Sequence, residues 1–309
     1  MRLVSVFLFI FIAACAQPPQ DLRDGGKTYH VYFLGGQSNM EGYGRVGHLR
    51  GEHAQTHEAI RIFTGNPQGD NGENGGHGRW TALRPGFGQK FSASSERVKR
   101  SRHFGSEITF GLEMARLNPD QNIAIIKYAR GGSSLAFDAP NFGTWSPDRE
   151  TFQGENQYDY ARHAIRSALA TPDIDGDGLR DTLIPAGLIW MQGESDAIEA
   201  PPAQVYEENL RQMMDLLRAA LGAPDMPVII GKITDSGMDE DGQVMDFIAP
   251  VQAAQARYVA SQRCAAYVTE IDDYQHISDG WHYDSEAYLK MGAAFARAMT
   301  ETAASCEPV

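Results

Sequence analysis

The sequence predicts a doubly wound α/β fold, an open and mostly parallel sheet with helices on both faces. Two observations carry this. Five short apolar runs, at residues 30–34, 122–128, 186–191, 228–233 and 266–271, are continuous and rich in Ile and Val, as strands covered on both faces must be. Helical patterns at 106–117, 158–169, 203–221, 249–261 and 285–302 follow these runs, and strand–helix alternation with right-handed crossovers builds such a layered sheet.

Taken in order, the first run ends in Gly35-Gly36 and is followed at once by Gln37-Ser38-Asn39-Met40. The second ends just before Gly131-Gly132. The third passes into Gln192-Gly193-Glu194, and the fourth into Asp235. The fifth precedes a helix that opens on Ser285-Glu286, with Asp284 as a second candidate cap. Sites in these sheets collect beyond the carboxyl ends of the strands, where Ser38, Gly132, Gln192 and Asp235 fall. Two segments break the alternation. Residues 45–103 lack a clear period and read as a surface insertion beside the site, with room for a small β element. Residues 236–247 are polar and contain Gly, as a lid or rim would.

Charge and the N-terminus narrow the function classes. The formal net charge is −13, which disfavours a sequence-independent grip on nucleic acid or anionic lipid. Arg2 precedes an apolar stretch, residues 3–14, that is short for a membrane span, so residues 1–20 read as an export signal and tether. Ile12-Ala13-Ala14-Cys15 resembles a bacterial lipobox, which makes Cys15 a lipidation site and places a lipid anchor in a bacterial membrane. Ala14-Cys15-Ala16 also fits ordinary signal cleavage. Both readings export the chain, to the periplasm, a membrane surface or beyond. In an oxidising compartment Cys264 and Cys306 form an even pair and are expected to be a disulfide.

The chemistry sits in three distant segments. Ser38 follows the first strand, where the free N–H groups of the next turn face a developing negative charge. It is not in a Gly-x-Ser-x-Gly elbow, because position 40 is Met. Asp279 and His282 are three apart in a turn, so the carboxylate can hold one ring nitrogen while the other serves Ser38 as general base. Gln192 and Glu194 end a buried strand and face one side. Gln192 is a candidate donor to an oxyanion, and Glu194 a candidate orienter of His282.

Together these segments resemble the SGNH-type hydrolases, and among them the sialate O-acetylesterase-like group that includes carbohydrate esterase family six. The resemblance rests on Gly-Gln-Ser-Asn-Met at 36–40, Gly-Gly-Ser-Ser-Leu at 131–135, Trp-Met-Gln-Gly-Glu-Ser-Asp at 190–196 and Asp-Gly-Trp-His at 279–282, in the family's order over a domain of about residues 28–305. It implies a flavodoxin-like three-layer α/β/α sandwich on a five-stranded sheet, and removal of O-acetyl groups from a polysaccharide or oligosaccharide. It implies Ser38 as nucleophile, His282 as base, Asp279 as the acid with Glu194 as helper, and an oxyanion hole from the Ser38 and Gly132 backbone N–H groups and the Gln192 side chain. Trp80, Phe87, Trp145 and Trp281 are candidates for a sugar-stacking rim. No cofactor is expected for catalysis. Alternatives are a lipase-like or thioesterase member of the same fold, and a non-catalytic glycan-binding surface lipoprotein.

One further motif stands apart. Asp173, Asp175, Asp177 and Asp181, with Gly176 at the sixth position, match the front of a calcium loop, although position twelve is Ile184 instead of the usual Glu. A structural Ca²⁺ is expected there.

Overall fold

The computed structural model describes residues 22–137, 139, 142–148 and 153–306; residues 1–20, read above as an export signal with Cys15 as the lipidation site, lie outside them. The elements run β1 (Arg23–Gly36), α1 (Ser38–Glu41), β2 (Gly44–Arg45), β3 (His57–Thr64), β4 (Trp80–Leu83), β5 (Ser92–Ala93), β6 (Val98–Lys99), β7 (His103–Phe104), α2 (Glu107–Leu117), β8 (Asn122–Ala129), α3 (Gln157–Leu169), β9 (Leu179–Met191), α4 (Ala200–Leu221), β10 (Val228–Gly231), α5 (Ile248–Ser261), β11 (Ala265–Val268) and α6 (Ser285–Ser305).

The main sheet has the order β11-β10-β9-β1-β8-β3-β4. Every pair is parallel except β3–β4. On one face α2 packs against α6; on the other α4 packs against both α3 and α5. This is the expected α/β/α sandwich, with seven strands in place of five. The two additional strands come from the segment read as an insertion. Only the second half of β3 pairs with β8, from Arg61 to Thr64, while Glu58 and Ala59 are exposed. Half-covered strands lack the continuous apolar run that marks a central one. For the same reason β1 and β9 begin earlier than expected: Arg23 and Asp24 pair with Leu179 and Arg180 in an exposed extension.

The core is aliphatic and aromatic, with Val31, Phe33, Ile125, Ile126, Leu188, Ile189, Val228 and Ile229 fully buried in the sheet. Beneath α1 lies one buried ion pair. Lys127 Nζ is 2.6 Å from Glu107 Oε2, and it also donates to the carbonyls of Glu41 (2.9 Å) and Phe87 (3.1 Å). Helix α3 starts on a reciprocal cap between Asn156 and Asp159. Helix α6 is capped by Asp284, whose carboxylate accepts from Ala287 N; Ser285 turns instead to Arg45 N and His48. Cys264, just before β11, is disulfide-bonded to Cys306 at the end of α6, with Cα atoms 5.5 Å apart. Among the described residues no helix is long and apolar enough to cross a membrane.

Candidate active site

Register brings the motif segments together. Gly36 pairs with Ala129 on β8 and with Met191 on β9, so three carboxyl ends lie side by side. Each continues into a motif: Gln37-Ser38, Arg130-Gly131-Gly132 and Gln192-Gly193-Glu194. Gly36 has φ +146°, and a Cβ there would stand 1.9 Å from the Met191 carbonyl oxygen. Glycine is required for this approach, which lets Gln37 N donate to that carbonyl at 3.0 Å. The chain then closes tightly: Met40 N and Glu41 N donate to Gln37 O, and Gly42 N to Ser38 O.

Ser38 opens this turn and is 6% exposed. With Gly132, Tyr43 and His282 it lines a cavity of about 800 Å³. Among the described residues the backbone N–H groups of Ser38 and Gly132 have no acceptor. Gly132 sits at φ +69°, a conformation glycine adopts freely. Two donors at a cavity wall beside a hydroxyl are what a developing oxyanion needs.

His282 is held from three directions. Its Nδ1 is 2.8 Å from Asp279 Oδ2. Asp279 Oδ1 accepts from Trp281 N (2.9 Å) and His282 N (3.0 Å), which locks the turn. Tyr43 stacks on the imidazole with centroids 3.5 Å apart and planes 6° from parallel. Nε2 is left for the cavity; the structure has no hydrogen bond between it and Ser38 Oγ. Burial lowers the His282 pKa below its ordinary value of 6.5, with Asp279 opposing. Burial also acts to raise Asp279, but the His282 ring and the two backbone N–H groups outweigh it and hold the carboxyl below its usual range. The pair is therefore a carboxylate beside a neutral imidazole near pH 7. A rate that needs neutral imidazole falls as pH drops through that lowered pKa. The acid limb of kcat/KM is thus expected below pH 6.5, and a limb above 6.5 in a pH-rate profile contradicts this assignment.

The middle block supports the site from behind. Gln192 is fully buried. Its Nε2 donates to Asp196 Oδ2 at 2.6 Å, and lies 3.2 Å from Gln37 Oε1 and 3.3 Å from Ser133 O. Its Oε1 accepts from Tyr206. In this arrangement the Gln192 amide is committed inside the wall. Gln37, absent from the sequence-derived set, lines the cavity in front of it. Gln37 Oε1 accepts from Gly193 N and Ser195 N, both at 3.3 Å. Backbone N–H groups can only donate, so they fix that end as the oxygen and turn Gln37 Nε2 the other way.

Glu194 does not reach His282 directly. Its Oε1 accepts from Asn39 Nδ2 at 2.7 Å, and the same amide donates to Trp281 O at 3.1 Å. Tyr288 donates to Asn39 Oδ1. Glu194 thus braces the serine turn and the histidine loop through Asn39. Burial pushes its pKa up to about 7, and that of Asp196 up to about 6. Asp235 stands outside the cavity lining and caps the rim segment, accepting from Gly237, Val244 and Met245 N–H groups. Of the aromatic candidates only Trp281 lines the cavity. Trp80, Phe87 and Trp145 are core residues, packed under the sheet's helices and loops, while Phe91 and Phe142 supply aromatic wall that the sequence did not single out.

In the acidic loop Asp173, Asp175 and Asp177 come together, with a ligand oxygen from each within 4.8 Å of the others. Asp181 does not join them. It turns inward and accepts from Lys27 N (2.9 Å) and Ile174 N (2.8 Å). The Lys27 ammonium sits on Asp175 and also lies 3.5 Å from Asp177, and Tyr29 donates to Asp175. Three oxygen donors suit a hard cation, but that cation must displace Lys27.

Comparison with known proteins agrees with the geometry. The family model described as carbohydrate esterase, sialic acid-specific acetylesterase matches residues 28–301. A probable carbohydrate esterase of Arabidopsis thaliana is 27% identical over 111 residues, which is 36% of this chain and 38% of that protein. The match therefore spans well under half of the relative's length. The crystal structure of the same plant protein superposes with a TM-score of 0.59 at 17% identity, covering 88% of this chain and 98% of that one. XAC1771, a carbohydrate acetylesterase from Xanthomonas citri, gives 0.58 at 19% identity over 89% of this chain and 57% of its own. NanS gives 0.54 at 15%, over 91% and 98%. At these identities the structures show a shared fold.

Proposed function

The chain belongs to the sialic acid-specific acetylesterase family of carbohydrate esterases, and from that premise we propose that it is an exported serine esterase that removes O-acetyl groups from carbohydrate. The observation that carries this reading is one cavity lined by Ser38, Gly132 and His282, in which the Ser38 and Gly132 backbone N–H groups have no acceptor among the described residues. Ser38 Oγ attacks the acetyl carbonyl while His282 Nε2 takes its proton, and Asp279 steadies the imidazolium. The N–H groups of Ser38 and Gly132 receive the oxyanion. Gln37 Nε2 is placed to add a third donor, the role the family resemblance assigns to Gln192. His282 then protonates the departing sugar oxygen. Water, deprotonated by the same ring, releases acetate and restores Ser38. This chemistry uses no cofactor.

Export follows from reading residues 1–20 as a signal, with Cys15 as the lipidated residue, and the Cys264–Cys306 bridge suits an oxidising compartment. The test is acetate release from acetylated xylan, pectin and sialic acids, with Ser38→Ala as control. A short acyl site should also prefer p-nitrophenyl acetate to longer acyl esters. Equal or better turnover of the long esters would favour the lipase-like reading, and no ester cleavage at all the non-catalytic one.

Calcium at the 173–177 loop is a separate structural proposal. Added Ca²⁺ should raise the melting temperature and a chelator lower it. Lys27→Ala, which removes the competing ammonium, should enlarge the shift. A melting temperature indifferent to both reagents overturns it.

A further inference from the structure

Resting on the esterase reading above, we propose that the Glu41 carboxylate is a hydroxyl-binding subsite of the Ser38 cavity, so that the favoured substrate carries a free sugar hydroxyl next to the acetylated one. Glu41 lines the same cavity as Ser38, Gly132 and His282. Its placement follows from α1, of which Ser38 and Glu41 are the first and last residues. Side chains three apart on a helical turn share a face. The backbone is fixed at both ends: Glu41 N donates to Gln37 O at 2.7 Å, and Glu41 O accepts from Lys127 Nζ at 2.9 Å. The two side chains meet across Gly131. A Cβ on that glycine would stand 3.0 Å from Glu41 Oε2 and 3.4 Å from Ser38 Cβ.

Glu41 is 7% exposed, and a carboxyl so far withdrawn from water needs partners. Gly131 N donates to Oε2 at 2.8 Å. Burial raises the pKa, and the Gly131 N–H, Arg130, Lys127 and the Lys90 backbone N–H all oppose that rise, which favours the ionised form. An ionised carboxylate only accepts, and it has about four lone-pair positions. Backbone N–H groups take some of them, and among the described residues no side chain donates to this carboxylate. The positions left over suit a donor that enters from the cavity, and an O–H donating to a carboxylate makes a short, charge-assisted bond. Acyl transfer has no other use for this acid, because His282 is the base and Asp279 its partner. On a sugar ring the group beside an acetylated oxygen is ordinarily a second hydroxyl. Acetylation of that neighbour removes its hydrogen, so densely acetylated sugars are the poorer substrates.

The test compares matched substrates within one protein. For each sugar of the panel above, xylose, galacturonic acid and sialic acid, a mono-O-acetyl derivative with its neighbouring hydroxyl free is set against the analogue in which hydrogen replaces that hydroxyl. Wild type should show kcat/KM about 10–100-fold higher for the hydroxyl member of at least one pair, the range of a charged hydrogen-bonded contact. Glu41→Gln should collapse that ratio towards one. Its amide oxygen can still accept from Gly131 N, which turns the NH₂ to the cavity in place of an acceptor. If Glu41 only braced Gly131, the substitution would slow both members of a pair alike and leave the ratio as it was. Each ratio is read within one protein preparation, so a loss of folded enzyme cancels, and the wild-type ratio needs no variant at all. A wild-type ratio near one in every pair, or a ratio unchanged by Glu41→Gln, overturns the subsite while leaving the esterase reading intact. Release of acetate from no member of any pair, nor from any other acetylated carbohydrate, overturns both.

Discussion

Ser38→Ala should lower acetate release by about 10⁴–10⁶-fold, to the residual rate that binding and oxyanion donors alone support, with an unchanged melting temperature. Among the described residues the hydroxyl has no hydrogen-bond partner, so its removal leaves none of them unsatisfied. Asp279→Asn should cost about 10⁴-fold in kcat. The amide can present its NH₂ to Nδ1, which favours the tautomer with its proton on Nε2, the wrong nitrogen for a base. Glu194→Gln should cost far less, because Glu194 meets Asn39 and not His282. Steady-state kinetics on one acetyl ester, with circular dichroism to confirm folding, decides the order. If Glu194→Gln proves the more damaging change, Glu194 and not Asp279 is the acid of the site.

Lys127→Met is expected to damage stability first and activity second. Its ammonium is 2% exposed and its partner Glu107 is fully buried. Removing one member of a buried pair leaves an uncompensated charge, at about 3–5 kcal/mol, which thermal or denaturant unfolding reads as a large drop. The double change Lys127→Met with Glu107→Gln removes the stranded charge and keeps an acceptor for Gly105 N, which now donates to Glu107. Much of the stability should return. Turnover should not, because the Glu41 carbonyl at the end of the Ser38 turn still lacks its donor. Full recovery of kcat in the double variant would show that Lys127 does not position the nucleophile.

The layered sheet was legible because buried parallel strands are apolar without interruption, as in residues 122–128 and 186–191, and because the glycines after them mark where backbone must pass closely. Gly36, against the Met191 carbonyl, is such a place. Strand β3 was not legible: its first half lies outside the pairing with β8 and carries the exposed Glu58 and Ala59, so the segment read as a surface insertion. In the site, the contact of Asp279 with His282 was legible from their spacing, and the place of Ser38 at a strand's carboxyl end from the apolar run before it. Tyr43 was not, since its stacking on His282 joins residues distant in sequence. The position of Gln192 was legible, but not the commitment of its amide, which depends on Asp196, Tyr206 and Gln37. Asp181 fits a calcium spacing, and only the folded chain reveals that two backbone N–H groups claim it first.

The central claim is that Ser38 is a nucleophile activated by His282. Fluorophosphonate labelling of the purified chain, followed by peptide mass mapping, measures this most directly. One adduct on Ser38 is expected, strongly slowed in His282→Ala and absent in Ser38→Ala. No adduct, an adduct on another serine, or labelling of Ser38 at the same rate without His282 would contradict it.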